Sequence, residues 1–161
     1  MDYPYLKEIL AFILSIGTVA FIRKMIFKYA STKVEVEIME DHITLKTNNE
    51  TLTLSPCLFL SNDHRKKRLL IVGKETIPAE PHIKVNLTKY SGEAGGSKAY
   101  YDCVSAFFRY AFCKIIKRRI FSLPKVYLKG AEKLSYTSGD INNHLIHKAF
   151  KNAGAVECNF P

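Results

Sequence analysis

The apolar pattern predicts a mixed α/β fold, an α+β-type mixed sheet with helices packed against it, behind one N-terminal transmembrane helix. Three observations carry this. Strict alternation early in the chain marks antiparallel strands, a strand–helix–strand–helix–strand order follows, and the N-terminus opens on a long uncharged run.

"ILAFILSIGTVAFI", residues 9–22, is fourteen residues without a charge. At ~1.5 Å per residue it spans about 21 Å, and Leu6 and residues 25–27 extend it toward the ~30 Å of a hydrocarbon core. Apolar side chains cover nearly every face, which argues against a helix lying in the membrane surface. A cleaved signal peptide competes, but "MDYPYLKE" carries two acids and one lysine, and no A-x-A site follows. The reading is one anchor. Ser15, Gly17 and Thr18 are small enough for close contacts with another helix inside the membrane. Arg23, Lys24 and Lys28 flank the run, and the positive-inside rule puts the rest of the chain in the cytoplasm. The sequons at Asn49 and Asn86 are then accidental.

Residues 1–32 form the anchor and juxtamembrane segment, and residues 33–161 the domain. In the domain "KVEVEIM" (33–39), "ITLKT" (43–47) and "TLTLS" (51–55) alternate, joined by the polar links "EDH" and "NNE". This is a three-stranded antiparallel meander. "CLFL" (57–60) continues the sheet, "NDHRKKR" (62–68) is a charged loop, and "LLIV" (69–72) is a strand. Residues 73–97, with prolines and "SGEAGG", read as irregular. From Lys98 to Ile120 the spacing is helical, with Tyr100, Val104, Phe107, Phe108, Ala111, Phe112, Ile115 and Ile116 on one apolar face. Asp102 reads as a dipole partner in its first turn. "KVYL" (125–128) is a strand and residues 130–139 a loop. Ser138 or Asp140 caps a helix over about 141–153, whose Ile141, Leu145 and Ala149 lie off its charged face; Gly154 stops it and "AVECNF" is a strand. The tail is thus β-α-β-α-β, which implies parallel pairing beside the meander.

The net charge is +9, of which residues 1–32 hold +2 (four basic, two acidic) and the remainder +7. Such an excess suits an anionic lipid surface, nucleic acid or an acidic protein. The basic clusters are Arg65, Lys66, Lys67 and Arg68, and Lys117, Arg118 and Arg119. Rings interleave with the second cluster, but their helical spacing assigns most of them to the core, so nucleic acid is the weakest candidate, lipid headgroups a stronger one and a solvated charged rim the strongest. Cys57, Cys103, Cys113 and Cys158 lack zinc or redox spacing and read as reduced, mostly buried residues. Glu40-Asp41-His42 reads as a polar turn, and His144 with His147 as part of a solvated helix face shared with Lys148 and Lys151. No nucleophile–base spacing stands out. The expectation is no enzyme, no cofactor, no metal and no small-molecule substrate.

The tail "LPKVYLKGAEKLSYTSGDINNHLIHKAFKNAGAVECNFP" resembles a segment of the MreB-like bacterial actins, which have a proline-led strand, a loop, a capped helix, "AGA" and a strand ending in proline. "LLIVGKE" resembles their strand followed by V-G-x-E, and "KAYYDCVSAFFRYAFCKII" the helix before the proline-led strand. The resemblance covers roughly residues 33–161 and implies half of an actin-like (ribonuclease-H-like) core. The family's first hairpin carries a phosphate-holding D-x-G-[TS] turn. Here "VEIMEDHITL" puts Glu40, Asp41 and His42 in that turn, without a glycine, and two carboxylates there repel a phosphate. The resemblance therefore implies a non-catalytic scaffold with a degenerate actin-like domain at the bacterial inner membrane, docking on a protein partner or on copies of itself. The alternative is a basic surface for nucleic acid or anionic lipid.

Overall fold

A computed structural model describes residues 17–19, 21–22, 25, 31–63, 67–116, 123–134 and 143–160. Among the described residues, eight strands form two sheets. The first contains β1 (Ser31–Ile38), β2 (Ile43–Lys46), β3 (Thr51–Leu54), β7 (Leu123–Lys129) and β8 (Glu157–Asn159), in the order β3-β2-β1-β7-β8. The second contains β4 (Cys57–Ser61), β5 (Leu69–Val72) and β6 (His82–Asn86), in the order β5-β4-β6. The helices are α1 (Ser97–Ile115) and α2 (Asn143–Asn152), with a short 3-10 turn at Ala131–Lys133.

The first sheet is mixed, as the alternation and the tail order predict. β1–β2 and β2–β3 are antiparallel, whereas β1–β7 and β7–β8 are parallel. The registers align every second residue onto one face. Val36 lies beside Leu45 and Leu128, Ile38 beside Ile43, and Val34 beside Val126. All of these are buried. The opposite face carries Lys33, Glu35, Glu37, Thr44, Lys46, Lys125, Tyr127 and Glu157, none of them buried. One face is apolar because it is covered, and the other is polar because water meets it.

The covering layer is helical. α1 buries Tyr100, Val104, Phe107, Phe108, Ala111, Phe112 and Ile115, and Ile116 lies half-buried at its end. α2 buries Ile146, Ala149 and Phe150. Leu145 and Ala149 pack on the core side of this helix as expected, and the two largest buried residues there are ones the spacing did not single out. Leu145 is half-exposed, while Ile146 and Phe150, one turn apart, point inward. Asp102 moves: with α1 starting at Ser97 it sits in the second turn, away from the first-turn amides.

The second sheet departs most from the sequence reading. "CLFL" does not extend the meander. It is the centre of a separate sheet, buried along its whole length and paired antiparallel on both sides. Its second neighbour, "HIKVN", comes from the stretch expected to be irregular. Both sheets nonetheless contribute to one continuous apolar core.

The expected helix ends at 117–120, the cap at Ser138 or Asp140, Ile141, and most of the N-terminal run lie outside the described residues. Among the described residues, no helix is long and apolar enough to cross a membrane.

Candidate functional site

The direction of the chain gives the domain two distinct ends. β1, β7 and β8 all begin at one end, toward which β2 runs. α2 also finishes there, because just past it the Val156 amide donates to the Pro124 carbonyl at 2.9 Å. The last turns of α1 reach the same end, with Phe112 packing 6.3 Å from Phe150 between ring centroids. α1 begins at the other end. Tyr100 donates its hydroxyl to the Leu87 carbonyl at 2.7 Å, and the Thr88 hydroxyl donates to the Glu40 carbonyl in the β1–β2 turn at 2.8 Å.

That turn is closed by the Met39 amide donating to the His42 carbonyl at 2.9 Å. The Asp41 carboxylate lies 2.7 Å from His42 Nδ1. Its own backbone amide first, and then the His42 side chain, hold the Asp41 carboxyl below the usual carboxylate range. The Glu40 carboxylate stands between Lys89 and Lys133, at 4.0 and 3.9 Å. The turn therefore presents two carboxylates, with the nearby ammonium groups already facing one of them. It is built to repel an anion rather than to cradle one.

Of the predicted basic clusters, Lys67 and Arg68 are among the described residues. Lys67 donates its ammonium to the Ala94 carbonyl at 2.7 Å, tying the charged loop to the segment before α1. The Arg68 amide donates to the buried Ser61 hydroxyl at 2.8 Å. Arg65, Lys66, Lys117, Arg118 and Arg119 lie outside the described residues, as do Ser15, Arg23, Lys24 and Lys28. Gly17 and Thr18 are helical and exposed, with open space around the Gly17 Cα. Val19, Phe21 and Ile22 beside them are 66%, 64% and 55% exposed, and none belongs to the core.

Sequence reasoning missed a different basic set. Lys33, Lys114, Lys125 and Lys151 come from four separate elements, and each lies near the end where β1 begins. The β1–β7 register and the ends of the two helices bring them to one end, so no local motif reveals them. Lys33 contacts Glu35 at 2.7 Å, Lys46 contacts Glu37 at 3.8 Å, and Lys125 contacts Glu157 at 3.3 Å. The hydrogen bond to Glu35 raises the Lys33 ammonium pKa, and Lys33 also lies 4.9 Å from the centre of the Tyr127 ring.

Shallow depressions of about 310, 480 and 330 Å³ run along α1 and share Asp102. Their other walls are α2, Leu69 of β5, and Ala94. They hold scattered charges rather than groups converging on one point. His144 is exposed and His147 half-exposed, and among the described residues no group of three or more acids, histidines or cysteines could hold a metal ion.

All four cysteines are free thiols. Cys57, Cys103 and Cys158 are buried and Cys113 is exposed. Burial, then Asp102 beside it, pushes the Cys103 thiol up to about 11, and burial alone pushes Cys158 up to about 11. Between the ordinary value of 9.0 and about 11, the unfolded chain ionises these thiols while the folded chain keeps their protons. The unfolded state then binds fewer protons, so stability falls as pH rises. Urea titrations are expected to show this contribution constant up to about pH 9 and declining toward 11. At neutral pH a thiol reagent is expected to modify Cys113 alone until the chain unfolds.

No protein-family model matches the chain, and no curated protein matches it.

Proposed function

We propose that this chain is a membrane-anchored, non-catalytic structural protein whose domain docks on a protein partner or on copies of itself at the bacterial inner membrane. The observation that carries the reading is the exposed apolar helical stretch at Val19, Phe21 and Ile22. Val19, Phe21 and Ile22 are more than half exposed and lie outside the core, which suits an apolar environment, and the length of the uncharged run with its flanking cations suits a bilayer. The mixed sheet, with an antiparallel meander joined to two parallel strands, agrees with the order that the actin-like resemblance implies. The Glu40–Asp41 turn supports work without nucleotide chemistry, because a phosphate brought there meets two carboxylates.

Two measurements test this. The full chain is expected to stay in the membrane pellet through a carbonate wash, and Val19→Lys with Phe21→Lys to release it. A wild-type chain found in the supernatant would overturn the anchor. Cross-linking in intact membranes is expected to capture one dominant protein, or the chain itself, through residues 33–161. Crosslinks spread evenly over abundant proteins would remove the scaffold reading.

A further inference from the structure

We propose that the end of the domain at which β1, β7 and β8 begin is a lipid-facing surface, held against the anionic headgroups of the membrane that carries the N-terminal segment. This rests on the anchored reading above and adds an orientation and a partner to it.

Two independent features point to it. The first is connectivity. The domain begins with Ser31, the first residue of β1, so any tether in residues 1–30 pulls on this end. The second is charge. Among the described residues this end holds four lysines (33, 114, 125 and 151) against Glu50 and Glu157, a net +2. The opposite end holds Glu40, Asp41, Glu93 and Glu132 against Lys89, Lys98 and Lys133, a net −1. Each sign sits where a negatively charged leaflet on the tether's side would favour it.

The geometry gives the asymmetry its force. An eight-residue β1 at ~3.3 Å per residue separates the two ends by about 26 Å. The Debye length at physiological salt is about 8 Å, so a surface touching one end hardly senses the other. The lysines differ in readiness. Lys33 and Lys125 share exposed ion pairs, which are weak enough to exchange for phosphate. Lys114 stands 5.6 Å from the centre of the Tyr110 ring, and neither it nor Lys151 has a carboxylate in salt-bridge range among the described residues. These two carry the strongest expected effect.

Cys113, beside Lys114 and the one exposed thiol, offers a probe at this end. The full chain would be reconstituted in phosphatidylcholine vesicles with and without phosphatidylglycerol, with a fluorophore on Cys113 and a nitroxide on a fraction of the headgroups. Strong quenching is expected only with phosphatidylglycerol and only at low salt. Lys114→Glu with Lys151→Glu is expected to weaken the bound state at least fivefold, on the order of one lysine's contribution near a charged surface. A fluorophore at the other end, on Asp41→Cys in a Cys113→Ser chain, is expected to stay bright in both vesicles. Equal quenching with and without phosphatidylglycerol, in a chain that floats with both, would overturn the orientation and leave the anchor standing. A chain that floats with neither overturns both. Quenching that ignores lipid composition but is abolished by added RNA would make this end a nucleic-acid surface and overturn the proposal.

Discussion

Replacing Gly130 with alanine is expected to destabilise the domain by about 3–5 kcal/mol, more than any surface change in this chain. Gly130 follows β7 with φ +76°, a left-handed conformation that costs an L-residue about 1–2 kcal/mol. The larger cost is steric. A Cβ there would stand 2.3 Å from the Ile38 carbonyl oxygen. That oxygen cannot retreat, because Ile38 ends β1 and is held in register with Ile43 of β2. Relief requires β7 to move away from β1 where the two strands end together. Gly154→Ala is the control: its φ is +106°, but a Cβ there meets nothing within 4 Å, so it carries the conformational cost alone. Urea unfolding of the detergent-solubilised chain is expected to show a large fall in midpoint for Gly130→Ala, a small one for Gly154→Ala, and unchanged slopes. A Gly130→Ala midpoint equal to that of Gly154→Ala would mean that β7 does not cross the end of β1 this closely.

The meander was legible because physics writes it into the sequence. A sheet with one covered face and one wet face selects every second residue, and "KVEVEI" and "ITLK" show that selection in full. α1 was legible for the analogous reason, since buried residues from Tyr100 to Ile115 repeat at helical spacing through most of its nineteen residues. The second sheet was not. β4 is buried along its length, so "CLFL" has no alternation to read, and a short apolar run does not name its neighbours. β6 has only five residues, set among prolines and glycines that read as loop. The surface was legible in composition only. Nothing in the run at 65–68 shows that Lys67 ties its loop to the Ala94 carbonyl, twenty-seven residues on. Lys33 and Lys125 are neighbours because β1 and β7 are parallel in one register, which is a tertiary fact with no local trace.

Phe108→Ala is expected to cost about 3–5 kcal/mol, because Phe108 joins the two helices to each other as well as to the sheet. Its side chain is fully buried. Its ring centroid lies 4.2 Å from that of Phe150 on α2, 5.4 Å from Phe107 and 6.1 Å from Phe112. Truncation removes apolar area and leaves a void whose walls belong to two helices, neither free to collapse while its other residues remain packed. Aromatic contacts add about 0.5–1.5 kcal/mol beyond burial. Phe108→Leu keeps most of the volume and is expected to cost less than half as much. The pair matters more than either ring. If α1 and α2 are held together here, Phe108→Ala and Phe150→Ala share one cavity, and the double variant should fall short of the sum of the singles by about 1–2 kcal/mol. A domain with about 5–15 kcal/mol of stability would survive the single change and reach the double one close to its limit, so the cycle belongs in urea at low temperature. Additive costs would show that the rings do not meet. The β7–α2–β8 unit would then pack on the sheet independently of α1, and the parallel strands would unfold before the meander.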